Sequence, residues 1–364
     1  MIPIIGAGPA GSYLAYLLAK KGKEITLIEE HEKIGSPIQC TGIVTASIEK
    51  FVKLPNDVIA NKCNKVVVVS KNNRIVANTD EIVMWRNKFD EFLAYKAQDE
   101  GVKILANHQF IGFNGKNSIR IKNKKNNEIK ILEADSIVGA DGPSSAVAKA
   151  AGLETTKKFY IGMQAKVKLK TDIEAFETYF SNEDFPQFFG WVVPESEDTA
   201  RLGLGSFSNA KEHFYRFLEK RTGSKEILCW ESGIFPVYDP KKIIQKENVY
   251  LIGDAATQVK ATTGGGIMPS LKAAEILCDC IVNKKNYDKD FKRKKAGKEL
   301  SLHLKIRGIL NKFSDKDYDY LLGLMNQGRI KKTLKKYDRD TPVPLILNLL
   351  LKEPRLLKYA KFVF

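Results

Sequence analysis

The stretch Ile2-Pro3-Ile4-Ile5-Gly6-Ala7-Gly8-Pro9-Ala10-Gly11 decides the fold. Its apolar start reads as a short buried strand, and the glycines that follow mark a turn. Leu14, Leu17 and Leu18 then recur at helical spacing up to Gly22, and Glu24-Ile25-Thr26-Leu27-Ile28-Glu29 reads as a second strand. This is a β-α-β unit with the dinucleotide-binding glycine pattern at its first turn. Gly6 permits the tight turn, Gly8 lets a pyrophosphate approach the backbone, and Gly11 lets helix and strand pack closely. The N-terminus of the helix that follows offers unpaired N–H groups to phosphate. Glu29 can accept hydrogen bonds from ribose hydroxyls, and its charge disfavours a 2′-phosphate, so FAD or NAD fits better than NADP. Pro3 is awkward, because proline removes a donor from a strand ladder.

Further along, Arg86 to Asp90 opens a helix that places Phe89, Leu93 and Ala97 on one face, and Gly101 to Leu105 returns as a strand. Residues 118–133 alternate as a polar hairpin. Ser136-Ile137-Val138-Gly139-Ala140-Asp141-Gly142 is another strand with a glycine-rich end. Val249 to Leu251 begins a buried strand that runs into Gly253-Asp254. Thr262-Thr263-Gly264-Gly265-Gly266-Ile267 follows and leads into a helix from about Pro269.

Composition narrows the class. The chain has 364 residues, 43% hydrophobic and 28% charged, which suits a folded protein of two domains and excludes a disordered or collagen-like chain. The longest apolar run, Pro344 to Leu351, contains Asn348 and falls well short of the roughly 20 residues of a membrane span. The apolar N-terminus lacks a preceding basic region, so no signal peptide is expected. Five scattered cysteines read as reduced thiols of a cytoplasmic protein, and no metal-ligand spacing occurs. The formal charge is +16, but residues 281–364 hold 22 basic against 9 acidic residues. Most of the excess therefore lies in the last 84 residues, beside leucine-rich stretches and without a nucleic-acid-binding motif. No nucleic-acid partner is expected. The composition fits a solvated basic helical face or a segment lying on an anionic membrane surface.

The order of these pieces resembles FAD enzymes of the p-hydroxybenzoate hydroxylase structural class. The resemblance rests on Gly6 to Gly11, Glu29, Gly139 to Gly142, Gly253-Asp254 and Gly264 to Ile267. Within that class the chain is similar to the geranylgeranyl reductase family. Ile34-Gly35-Ser36-Pro37-Ile38-Gln39-Cys40 resembles that family's P-x-x-C segment near the flavin ring, and Phe189-Gly190-Trp191-Val192-Val193-Pro194 resembles its Y-x-W-x-F-P prenyl-pocket motif. Phe189 and Val193 depart from the motif, Glu195 stands where a lysine commonly follows, and Thr41-Gly42 replaces a longer glycine run.

The resemblance implies an α/β fold: a Rossmann-type FAD-binding domain, an interleaved antiparallel β-rich substrate domain and a helical C-terminal region. The expected boundaries are 1–55, 80–155 and 240–285 for the first, 56–79 and 156–239 for the second, and 286–364 for the third. FAD contacts are implied at Gly6, Gly8, Pro9, Ala10, Gly11, Glu29, Cys40, Thr41, Gly42, Arg86, Phe110, Asp141, Gly253, Asp254, Gly265, Gly266 and Ile267. Phe188, Phe189, Trp191 and Pro194 are the implied walls for a prenylated lipid, and ordinary core packing is the alternative use of such a cluster. Cys40 is the implied catalytic residue, as a proton donor or as a wall of the flavin pocket. The implied activity is saturation of geranylgeranyl double bonds; a flavin monooxygenase or halogenase of the same class is the rival. No second nucleotide fingerprint is found, so an external electron donor is expected: ferredoxin, a reduced deazaflavin or a nicotinamide.

Overall fold

A computed structural model describes residues 1–153, 158–336 and 342–362. The chain divides into two compact units. The first comprises Met1–Ile38, Arg86–Phe159 and Phe235–Ser301; the second comprises Gln39–Trp85, Tyr160–Ile234 and Leu302–Phe364.

The first unit is built on a six-stranded sheet ordered Gln245–Lys246, Val249–Leu251, Ile137–Gly139, Ile2–Ile5, Ile25–Ile28 and Lys103–Leu105. All neighbours are parallel except the Gln245–Lys246 edge pair. Every residue of Ile2–Ile5, Ile25–Ile28, Ile137–Gly139 and Val249–Leu251 is buried. That is why these strands read as continuous apolar runs: a parallel sheet is covered on both faces. Pro3 is tolerated because the ladder to Ile137–Gly139 begins only at Ile4, after the proline. Helices Pro9–Ala19, Arg86–Asp99 and Ile267–Val282 accompany this sheet. The polar hairpin of residues 118–133 forms part of a separate three-stranded antiparallel sheet with His108–Phe113.

The second unit holds a nine-stranded sheet, ordered Cys229–Trp230, Phe159–Lys168, Thr199–Ser206, Gly190–Pro194, Ala175–Tyr179, Ile59–Val69, Arg74–Met84 and Ile43–Thr45, with Gly233–Pro236 also on Phe159–Lys168. The pairs along that eight-strand order are antiparallel except where Ala175–Tyr179 meets Ile59–Val69. Helix Ala210–Thr222 buries Phe214, Phe217 and Leu218 with Leu202, Leu204 and Val192.

The units part at places other than the sequence-based boundaries. Residues 39–55 go with the second unit, because Ile43–Thr45 pairs with Arg74–Met84. The C-terminal region also divides: residues 286–301 belong to the first unit and 302–364 to the second. Asp319 accepts hydrogen bonds from Ser70 and Asn72, and Asp315 from Ser181 and Asn182, so the later helices are bonded to the β-rich unit.

Candidate cofactor and substrate sites

The first candidate site lies at the turn after Ile2–Ile5. Gly6 takes φ of +104°, and a Cβ there would fall 2.3 Å from the carbonyl oxygen of Ala140. A Cβ on Gly11 would fall 2.0 Å from the carbonyl oxygen of Gly6. Both positions are thus closed by backbone. Gly8 differs: its φ of −71° suits any residue, and nothing lies within 4 Å of the place its Cβ would take. The gap at Gly8 is open space over the helix end, not a packing need. Helix Pro9–Ala19 has no side-chain cap on Gly8 and no acid in its first turn, so its amides face that space unneutralised. The cradle fits a pyrophosphate.

Glu29 closes one side. Its Oε2 accepts from the Ala7 amide at 3.0 Å, and its Oε1 accepts from the His31 amide at 2.9 Å and lies 2.7 Å from His31 Nδ1. A carboxylate offers about four lone-pair sites, so capacity for ribose hydroxyls is left.

The Gly253-Asp254 fingerprint reaches the same turn. Gly253 takes φ of +69°, and its missing Cβ would meet Ala10 Cβ at 2.9 Å. Its amide donates to Gln258 Oε1 at 2.8 Å. A Cβ on Gly266 would meet Asp254 Oδ1 at 2.9 Å, which draws the Gly264 to Ile267 turn onto that carboxylate. Helix Ile267–Val282 starts at Gly266, again without a side-chain cap. Gly265 sits between Lys260 and Thr263. Burial raises the Asp254 pKa to about 6, opposed by the positive charge of Arg86. Arg86 is itself held by Asp90, with its Nη2 2.8 and 2.9 Å from the two carboxylate oxygens.

Two sequence-predicted residues have other visible duties. The Asp141 carboxylate accepts from Ser145 Oγ at 2.6 Å and the Val147 amide at 3.0 Å, so it anchors the start of helix Ala146–Ala150. Phe110 is buried, at the bulge of the three-stranded sheet, and packs edge-on to Phe113.

The second candidate site is a polar network within the β-rich unit. Gln164 is its hub. Its Oε1 accepts from Thr41 Oγ1 at 2.6 Å and from Trp191 Nε1 at 2.9 Å, while its Nε2 donates to Glu231 at 2.9 Å. Arg201, fully buried, donates to the Thr41 carbonyl at 2.6 Å and pairs with Glu195 at 2.5 Å and Glu231 at 3.1 Å. Lys166 pairs with Glu195 at 2.8 Å. Two cations and two carboxylates therefore fix the Cys40-Thr41-Gly42 segment and the Trp191 ring. Burial raises the Glu231 pKa, with Arg201 opposing. Cys40 is half-buried, and its Sγ accepts from the Gly42 amide at 3.4 Å.

The aromatic residues expected as walls do meet. Phe188 and Phe189 stack with centroids 4.5 Å apart, and Trp191 lies edge-on to Phe189 at 5.8 Å. Gly203 and Gly205 leave room for them, since a Cβ would fall 2.7 Å from Trp191 and 2.5 Å from Phe188. Pro194 ends the same strand, its carbonyl accepting from Asn61. Sequence reasoning missed Gln164, Arg201 and Glu231. Arg201, a charge inside the apolar strand Thr199–Ser206, carried the one available signal.

The family described as FAD binding domain matches residues 1–226, more than half the chain, so the class is that of FAD-binding proteins with a Rossmann-type fold. A digeranylgeranylglycerophospholipid reductase of Methanothermobacter thermautotrophicus is 30% identical, over 88% of this chain and 90% of its own. One of Methanocaldococcus jannaschii is 29% identical, over 99% and 97%. A crystal structure of a geranylgeranyl bacteriochlorophyll reductase-like protein from Thermoplasma acidophilum superposes with a TM-score of 0.86 at 23% identity, covering 100% and 98% of the two chains. The chain belongs to the digeranylgeranylglycerophospholipid reductase family.

Proposed function

We propose that the protein is an FAD-dependent reductase that saturates carbon–carbon double bonds of geranylgeranyl chains in archaeal-type ether phospholipids. The observation that carries this reading is the near full-length match to relatives named for that activity, on a chain whose glycine cradle fits the cofactor. Gly6, Gly8, Pro9, Ala10 and Gly11 would hold the pyrophosphate and Glu29 the adenosine ribose. Asp254, Arg86, Gly253, Gly265, Gly266 and Ile267 would hold the remainder, with Phe110 contributing backbone. Asp141 supports the site by anchoring its helix. Cys40, Thr41 and Gly42 would border the flavin ring.

FAD held by these residues would, once reduced, provide a hydride equivalent for the alkene. The chain's own residues bind the substrate, keep water out and deliver the balancing proton. Phe188, Phe189 and Trp191 supply apolar surface for an isoprenoid chain, and Cys40 Sγ is the proposed proton donor. The Gln164–Arg201 network holds the Cys40 segment in place. The two electrons come from an external donor, and the substrate's membrane residence places the enzyme at the membrane surface.

Mass spectrometry of lipids from cells making the protein, with and without Asp254→Ala, tests the reaction. Gains in steps of two hydrogens that depend on Asp254 are expected. Product carrying added oxygen or halogen would instead establish the monooxygenase or halogenase rival. Cys40→Ala should retain FAD and slow alkene reduction by about 10²-fold; unchanged turnover with excess reductant removes the proton-donor role.

A further inference from the structure

The helix Pro342–Lys352 is apolar on two faces. Leu345, Leu349 and Leu350 turn into a cluster with Phe313, Tyr318, Ile330 and Tyr359, so one face is anchored in the second unit. On a surface helix the opposite positions are ordinarily polar. Here they are Val343, Leu347 and Leu351, spaced i, i+4, i+8, with 48%, 56% and 80% of their surface exposed. Leu357, in the 3-10 helix Pro354–Phe362 that follows, is also apolar and 59% exposed. Exposed apolar residues at this spacing are not explained by packing within the chain.

Its surroundings are basic. Gly328 to Phe362 contains ten Lys and Arg residues against three acids. Leu351 is followed by Lys352 and Leu357 by Lys358, both lysines exposed. Glu353 is buried and already bridged by Arg329 and Arg355, so it presents no free negative charge. At eleven residues the helix is too short to cross a bilayer, and no helix among the described residues is long and apolar enough to do so. Apolar residues on one exposed face, with cations beside them, are the makeup of an element lying in the headgroup layer of an anionic membrane.

The geometry points to Val343, Leu347, Leu351 and Leu357 as the strip that inserts into an anionic lipid surface, with Lys332, Lys352 and Lys358 making the electrostatic contact. The inference deepens the reductase reading and rests on it only for the reason the enzyme visits a membrane. The strip itself is a feature of the fold.

Cosedimentation of the FAD-loaded protein with phosphatidylglycerol vesicles and with neutral phosphatidylcholine vesicles tests it. The wild-type chain should partition to the anionic vesicles and be released by high salt. Leu347→Ser with Leu351→Ser should weaken that partitioning by roughly tenfold or more, given the apolar area removed. Circular dichroism, flavin content and reduction of a detergent-dispersed prenyl lipid should stay unchanged, because both side chains are exposed. As a second reading, Leu351→Trp should shift its fluorescence to the blue on adding anionic vesicles. Unaltered partitioning of the double variant, or no shift with the tryptophan, overturns the strip. So does concentration-dependent dimerisation without lipid that the double variant abolishes, since a second copy would then be the occupant. Absent vesicle binding with intact two-hydrogen steps overturns this surface alone; intact binding without those steps overturns the reductase reading alone.

Discussion

The turn Gly6–Gly11 and the Gln164–Arg201 network solve opposite problems. In the turn, the missing side chains are the working parts: Gly6 and Gly11 let backbone approach backbone, and Gly8 leaves a volume empty. In the network, charged side chains are buried together and must satisfy each other: Arg201 is fully buried, and its partners Glu195 and Glu231 are nearly so. The first region makes room for a ligand, and the second fixes the position of a loop. The first tolerates little added volume at Gly6 and Gly11, and the second little lost charge.

The largest effect is therefore expected in the network. Arg201→Met keeps the volume but leaves Glu195 and Glu231 short of their shared cation, with Lys166 still on Glu195. Breaking a buried pair from one side costs about 3–5 kcal/mol. Urea denaturation should show that loss, and a change under 1 kcal/mol would mean that the network is not the fixed point described. Pairing the substitution with Glu231→Gln should recover part of the loss, because one orphaned charge is then gone.

Gly11→Ala comes next. Its Cβ would press on a backbone oxygen, which cannot rotate away, so overpacking of about 1–3 kcal/mol is expected even without cofactor. Gly8→Ala sharpens the contrast. With an ordinary φ and no neighbour within 4 Å, it should leave apoprotein stability within about 0.5 kcal/mol of wild type. Flavin affinity, followed by fluorescence titration, should nevertheless fall by at least about tenfold, or roughly 1.4 kcal/mol. Equal losses of stability at Gly8 and Gly11 would contradict the distinction between open and closed positions.

The same contrast explains what the sequence made legible. The cradle depends on local spacing: Gly6, Gly8, Gly11 and Glu29 lie within one β-α-β unit, so their closeness follows from the order of residues. The later fingerprint at Gly253 was equally readable, although only the structure shows Ala10 against it. The network joins Thr41, Gln164, Arg201 and Glu231, which lie on distant segments. No periodicity links such residues, because sheet pairing brings them together. The departure at Glu195, read from sequence as a mismatch with a family motif, has a structural use in pairing with Arg201 and Lys166. The division of the C-terminal region was hidden for the same reason, since it depends on Asp315 and Asp319 meeting strand ends far earlier in the chain.

Asp254 is where the glycine-built region takes on the liability of the charged one. Its pKa is raised to about 6 because burial disfavours the carboxylate more than Arg86 favours it. A folded pKa above the unfolded value means that the folded state binds the proton more tightly. The resulting stabilisation is complete below the unfolded pKa, near 3.8, and is lost as pH rises through about 6. Apoprotein stability should therefore carry a component that declines between about pH 4 and pH 7. The residue as a whole is only partly buried, so the size of that component is held to about 1–2 kcal/mol. Asp254→Asn, uncharged at every pH, should flatten that component and raise apoprotein stability at pH 7 and above, while weakening retention of FAD. Urea titrations of the two apoproteins across this range give the answer. A parallel pH dependence in wild type and variant would show that Asp254 does not titrate as its burial requires. A flattened curve with undiminished flavin retention would separate the electrostatic cost of the residue from any part in holding the cofactor.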